Sequence, residues 1–131
     1  MNTPNEPVCY LVELLPERPV AVLVDGRQVA LVRLHDDRVH AVGMWDPFAR
    51  ANVMGRGLVG SKVVDGEDVP VIFSPMYKQA YDLRTGRCLS DADVALGTWE
   101  VAVADGQVFV GAQVAPESPR REVASALARA S

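Results

Sequence analysis

Side chains capable of chemistry are few in this sequence, and most gather in two stretches. Ser74, Tyr77 and Lys78 bring a hydroxyl, a phenol and an amine close together. A serine nucleophile with a lysine base also needs a third group to orient the base, and no His or acid lies nearby in sequence. The Ser74-Pro75 step reads instead as a turn former. Val53-Met54-Gly55-Arg56-Gly57-Leu58-Val59-Gly60 is rich in glycine but follows no strand-to-helix pattern. It also lacks the Gly-Lys-Ser/Thr of a phosphate loop. Arg56, between two glycines, is either a solvated side chain or a cation offered on a flexible loop to an acidic partner. Metal chemistry is no better served. Cys9 and Cys88 are distant from each other, and His35 and His40 flank an Asp36-Asp37 turn without a neighbouring ligand pair. The cysteines are expected to be buried apolar residues rather than a disulfide.

Composition narrows the class. A chain of 131 residues fits one domain with a real core. A formal net charge of −4 argues against a nucleic-acid binder, which would show a basic face. No run of ~18 apolar residues exists to span a membrane. The start, Met1 to Pro7, has neither a basic region nor an apolar stretch of a secretory signal, so the expected location is cytoplasmic.

The elements that must position these residues read as short strands separated by turns, an all-β sandwich or barrel. Val20–Val24 and Val29–Leu34 are apolar, β-branched runs joined through Asp25-Gly26, a pair suited to a two-residue hairpin turn. Asp105-Gly106 repeats the device between Trp99–Val103 and Val108–Val110. Arg38–Val42 is expected as a strand after Asp36-Asp37, and Asp46–Gly60 as loop. Val63-Val64 is expected as a short strand before Asp65-Gly66. Val69–Phe73 follows, with Pro70 marking an edge or a strand start. Residues 1–7 form an N-terminal extension, 8–112 the domain, and 113–131 a linker and Ala-rich tail, either helical or disordered. Pro116 to Pro119 marks the linker, and the tail is too short to hold a lone helix in water.

Ser74-Pro75-Met76-Tyr77-Lys78, followed by Tyr81-Asp82-Leu83-Arg84-Thr85-Gly86, resembles the second cluster-binding loop of a Rieske iron–sulfur domain. That loop reads Cys-Pro-x-His-Gly, then an aromatic, an Asp-Leu-like pair and a Thr-Gly turn. Ser74 stands at the Cys position and Tyr77 at the His position, while Pro75, Tyr81, Asp82, Leu83, Thr85 and Gly86 fit. The first Rieske loop is Cys-x-His, and Asp46 and Phe48 stand there within Met44-Trp45-Asp46-Pro47-Phe48. Asp46-Pro47 is expected to open a turn and Trp45 and Phe48 to close the end of the barrel, with the loop's exposed edge free to touch a partner. A Rieske cluster takes two thiolates and two imidazoles. The four residues at these degenerate ligand positions supply neither.

The ordered set Asp46-Pro47-Phe48, Asn52-Val53-Met54-x-Arg56-Gly57, Ser74-Pro75-Met76-Tyr77-Lys78-Gln79 and Asp82-Leu83-x-Thr85-Gly86 resembles one family closely. It is the small subunit of assimilatory NAD(P)H-dependent nitrite reductase, matched from about Val8 to Val110. Tyr81 departs from it where Phe is more usual. The resemblance implies a Rieske-like β fold without a cluster, in a chain with no catalytic, cofactor-binding or metal-binding residues of its own. It implies a large-subunit partner bearing FAD, a [4Fe–4S] cluster and sirohaem, which reduces nitrite to ammonium. It further implies that the two loops lie side by side. Pro47, Phe48, Arg56, Met76, Tyr77 and Lys78 would then form one exposed docking patch. The alternatives are a cluster-free adaptor or regulatory module of the same fold, and a true Rieske ferredoxin.

Overall fold

A computed structural model describes residues 6–76 and 78–118. Short strands dominate, as the turn spacing predicts. In chain order they are β1 (Cys9–Tyr10), β2 (Val20–Val24), β3 (Arg27–Arg33), β4 (Val39–Gly43), β5 (Trp45–Asp46), β6 (Ala51–Asn52) and β7 (Leu58–Val64). The second half supplies β8 (Glu67–Phe73), β9 (Ala80–Asp82), β10 (Arg87–Cys88), β11 (Asp91–Ala95), β12 (Thr98–Ala104) and β13 (Gln107–Ala115). Short helical turns occur at Leu11–Glu13 and Met54–Arg56.

All three Asp-Gly pairs make the hairpin turns expected of them. Asp25-Gly26, Asp65-Gly66 and Asp105-Gly106 have positive φ at both positions, the geometry that matches the twist of the flanking strands. They join β2 to β3, β7 to β8 and β12 to β13. The strands assemble antiparallel into a six-stranded sheet, β1-β13-β12-β4-β3-β2, and a five-stranded sheet, β11-β10-β9-β8-β7. A two-stranded β5-β6 ribbon completes the set.

Two cores share one strand. On β3, Ala30 and Val32 join Val42, Met54, Ile72, Tyr81, Leu83 and Leu96 between the sheets. Val29 and Leu31 point the other way, where Leu14, Ala41, Trp99, Val108 and Val110 form a second cluster. Successive side chains alternate across a strand, so a run buried on both faces must be apolar throughout. Val29-Ala30-Leu31-Val32 meets that demand.

Several boundaries differ from the sequence reading. Asp46–Gly60 is not all loop: the β5-β6 ribbon, a helical turn and the start of β7 lie within it. Pro70 sits inside β8, which has β7 on one side and β9 on the other, rather than at an edge. Its carbonyl accepts the Leu83 N–H at 2.9 Å, just past the last β8–β9 pair, Val71 and Asp82. The missing proline N–H therefore falls where that ladder has ended, and no sheet bond is lost.

At the C-terminal end β13 runs through residue 112 to Ala115, so the expected boundary lies inside a strand. Beyond it, the Ser118 N–H donates to the Ala95 carbonyl at 3.1 Å, and Glu117 pairs with Arg27. Strand pairing with Trp99 and Thr98 explains why the chain stays regular there. The Ala-rich segment from 119 onward lies outside the described residues. Both cysteines are free, Cys88 buried and Cys9 half-buried. No helix among the described residues is long and apolar enough to cross a membrane.

Candidate functional site

The two loops singled out in the sequence meet at one end of the core between the sheets. Their junction is Asp46, whose side chain is 0% exposed. Its Oδ1 accepts the backbone N–H groups of Phe48 at 2.9 Å and Ala49 at 3.3 Å, closing the first loop. The Ser74 hydroxyl donates to Asp46 Oδ2, which ties the second loop to the first. The Tyr81 hydroxyl, from β9, reaches Asp46 Oδ1 at 3.4 Å. Four donors thus surround one buried carboxyl group, and buried polar groups demand such satisfaction.

The two loops are built alike. In the first, the Arg50 N–H donates to the Asp46 carbonyl at 2.8 Å. In the second, the Lys78 N–H donates to the Ser74 carbonyl at 3.1 Å, and the Met76 N–H donates to Ser74 Oγ at 3.2 Å. Each loop therefore opens on a residue whose side chain caps the N–H two positions on. A proline follows, and a cation ends the turn four residues later. Asp46-Pro47-Phe48-Ala49-Arg50 and Ser74-Pro75-Met76-Tyr77-Lys78 are the same device used twice. Proline suits the second turn position because its φ is already fixed.

Neighbouring segments hold this tip in place. Met54, fully buried, anchors the helical turn that carries Arg56, so Arg56 stands on a packed element rather than a flexible loop. A Cβ on Gly57 would lie 2.4 Å from the Phe73 carbonyl oxygen, so the chain can pass the second loop this closely only as glycine. The Asp82-Leu83-Arg84-Thr85-Gly86 motif makes a tight turn behind the tip. Asp82 accepts the Arg84 N–H at 2.8 Å, and Leu83 enters the core. Gly86, at φ 79°, leaves no room for a Cβ, which would lie 2.2 Å from the Leu96 carbonyl oxygen.

Of the residues expected on a docking patch, Arg56, Met76 and Lys78 are exposed. Pro47 is buried, and Phe48 is half-buried against the core, so these two close the domain end. The reason is local: the cap on Asp46 folds the loop inward, and two apolar side chains follow it. Tyr77 lies outside the described residues. The sequence reading missed Arg50 and Leu58, both exposed at the same end. The repeated Asp/Ser-Pro-x-x-Arg/Lys pattern was the signal that would have found Arg50.

Electrostatics at the junction favour neutral donors. Burial, and then the adjacent Asp46, push the Tyr81 hydroxyl far above the usual phenol range, so it stays a donor at all ordinary pH. Among the described residues no cluster of three or more His, Cys, Asp or Glu is placed to hold a metal ion. His35 is paired with Glu17 on the surface, and His40 is half-buried between the sheets. A hollow of about 250 Å³ lies between Trp45, Asn52, Gly97 and Trp99, with Arg27 5.4 Å over the Trp99 ring.

Residues 5–111 match the family profile of the Rieske-like [2Fe-2S] domain. The chain is 35% identical over 102 residues to the nitrite reductase (NADH) small subunit of Escherichia coli K12, covering 77% of this chain and 91% of that one. It is 36% identical over 112 residues to the nitrite reductase [NAD(P)H] large subunit of Klebsiella oxytoca, covering 86% of this chain. There it spans only 11% of the relative's length. Among solved structures, a Mycobacterium tuberculosis chain assigned as an NADH-dependent nitrite reductase small subunit superposes with a TM-score of 0.74 at 43% identity. That match covers 80% of this chain and 91% of the other.

Proposed function

The chain belongs to the Rieske-like domain family and, within it, to the small subunits of NAD(P)H nitrite reductase, and from that premise we propose that it works as a cluster-free accessory subunit. Its partner is the large subunit, which holds FAD, a [4Fe–4S] cluster and sirohaem and carries out the six-electron reduction of nitrite to ammonium in the cytoplasm. This chain supplies no redox group. Its part is to bind and support the enzyme that does.

The observation that carries this reading is the Asp46 junction. A Rieske cluster needs two thiolates on one iron and two imidazoles on the other. Asp46, Phe48, Ser74 and Tyr77 stand at those positions. Asp46 and Ser74 are turned toward each other, the Tyr81 hydroxyl reaches Asp46, and Phe48 packs on the core. These residues do not fit a [2Fe–2S] cluster: the oxygens that face the junction hold one another. The Klebsiella relative supports the partnership, because there a domain similar to this one is part of a large-subunit chain.

Elemental analysis after anaerobic reconstitution tests the cluster-free reading. The expected result is iron far below two per chain and no visible Rieske-type absorption. Stoichiometric iron with that spectrum would return the chain to the ferredoxins. Co-purification with a large subunit carrying sirohaem tests the partnership, and a chain that elutes alone under all conditions argues for a free-standing module.

A further inference from the structure

We propose that Arg50, Arg56 and Lys78, around exposed Leu58 and Met76, form a cationic clasp that docks on an acidic, apolar-centred face of the large subunit. The inference rests on the partnership above and adds to it the surface and its chemistry.

The first support is backbone geometry. Seven non-glycine residues among those described have positive φ, and five are acidic residues, Glu17, Asp25, Asp37, Asp65 and Asp105. The other two are Arg50 at 57° and Lys78 at 61°, the terminal residues of the two matched turns. Glycine adopts this conformation without steric cost, and long side chains do so under strain. The related Rieske loop has glycine at the Lys78 position. A turn that needed only its shape would keep glycine, so placing a cation at both ends points to a use for the side chains. Strain of this kind concentrates where a side chain must be held in a set place.

The second support is charge. The chain carries −4 overall, yet no Asp or Glu occurs between Asp46 and Asp65 or between Asp68 and Asp82. Asp46 itself is buried. The loop end is thus cationic on an acidic domain, which orients the molecule toward a negative surface as it approaches. Arg27, Arg33, Arg38 and Arg84 each face a carboxylate. Among the described residues Arg50, Arg56 and Lys78 make no such pair.

The third support is the apolar centre. Leu58 is 75% exposed and Met76 61%. Leu58 pairs with Phe73, the residue before Ser74, so it lies beside the loop that carries Met76. Apolar side chains ringed by Arg and Lys are the composition of an interface centre with a polar rim.

The test is a binding titration of the full-length chain against its holo large subunit across a range of salt concentrations. Wild type is expected to lose affinity steadily with salt. The double variant Arg50→Gly and Lys78→Gly keeps the turn geometry and relieves its strain. It should melt at or above the wild-type temperature while binding about tenfold more weakly, with a shallower salt dependence. Arg50→Glu with Lys78→Glu should weaken binding by about a hundredfold. Arg18→Gly with Arg87→Gly, elsewhere on the surface, should leave affinity unchanged. Equal affinity for the glycine pair and wild type would overturn the clasp while leaving the partnership standing. No binding by wild type at any salt would overturn the partnership itself. Saturable binding of nitrite or inorganic phosphate to the isolated chain, lost in the glycine pair, would make this a small-anion site and overturn the docking surface.

Discussion

The Ser74 hydroxyl hydrogen-bonds the buried carboxyl of Asp46 across a separation of 28 residues, and this one contact joins the two loops at the end of the domain. The same two side chains cap the Phe48 and Met76 N–H groups, which seats Pro47, Phe48, Pro75 and Met76 on either side of the contact. Where a metal cluster would tie two such loops by four bonds, here a carboxyl group and three elements of chain do so by hydrogen bonds.

Removing that acceptor is therefore expected to be costly. Asp46→Ala leaves the Phe48 and Ala49 N–H groups and the Ser74 and Tyr81 hydroxyls without their partner, and should destabilise the domain by about 3 kcal/mol. Asp46→Asn keeps an acceptor for the backbone and turns an amide toward Ser74, whose hydroxyl can accept in turn. It should cost only about 1 kcal/mol. Urea unfolding of both variants, with Ser74→Ala to complete a double-mutant cycle, gives the coupling directly. Additive effects would show that the two loops are held by something other than this contact.

His40 predicts acid sensitivity. Its Nε2 is buried without a hydrogen-bond partner, beside a hollow of about 170 Å³ lined by Leu83, Arg84, Thr98 and Trp99. Burial, and then Arg38, lower its pKa from the ordinary 6.5, with Arg84 adding to the shift and Asp82 and Asp36 opposing it. The folded state then binds fewer protons than the unfolded chain below pH 6.5. Stability is complete above that pH and is lost as pH falls through the folded value. His40→Leu should flatten the melting temperature between pH 7 and pH 5, where carboxylates contribute little. An unchanged slope would assign the acid response to other groups.

The C-terminal boundary makes a third expectation. A chain ending at Ser118 should melt within a few degrees of full length. One ending at residue 112 loses the β13 pairing to Trp99 and Thr98, the Ser118 bonds to Ala95 and the partly exposed Arg27–Glu117 pair. These together are worth about 3 kcal/mol, with the solvent-screened ion pair the smallest share. Scanning calorimetry of both truncations decides where the domain ends, and equal midpoints would restore the shorter boundary.

Much of this architecture was legible in the residues. Asp25-Gly26, Asp65-Gly66 and Asp105-Gly106 announced their hairpins because few other pairs accept positive φ twice. The β-branched runs beside them announced β2, β3, β12 and the first part of β13. What stayed hidden depended on contacts distant in sequence. Pro70 looks like an edge residue until β9 is seen to end one residue short of it. Phe48 was legible as closing the end of the barrel, but the burial of Pro47 beside it shows only once Asp46 is seen to fold the loop inward. Arg50 carries no local mark of being special, and only comparison with Lys78 in the matching turn brings it out. β5, β6, β9 and β10 are two or three residues long, too short for periodicity to register.

Strand β3 contributes alternate side chains to both clusters, Ala30 and Val32 to one and Val29 and Leu31 to the other. Neither half of the molecule can therefore melt without exposing the other. Trp99 belongs to the second cluster, while Trp45 adjoins the loop end. Both indoles line one hollow, and their fluorescence should report the same thermal midpoint as backbone circular dichroism. Heat would then open the loop end only together with the whole domain, so a partner meets either a finished surface or an unfolded chain.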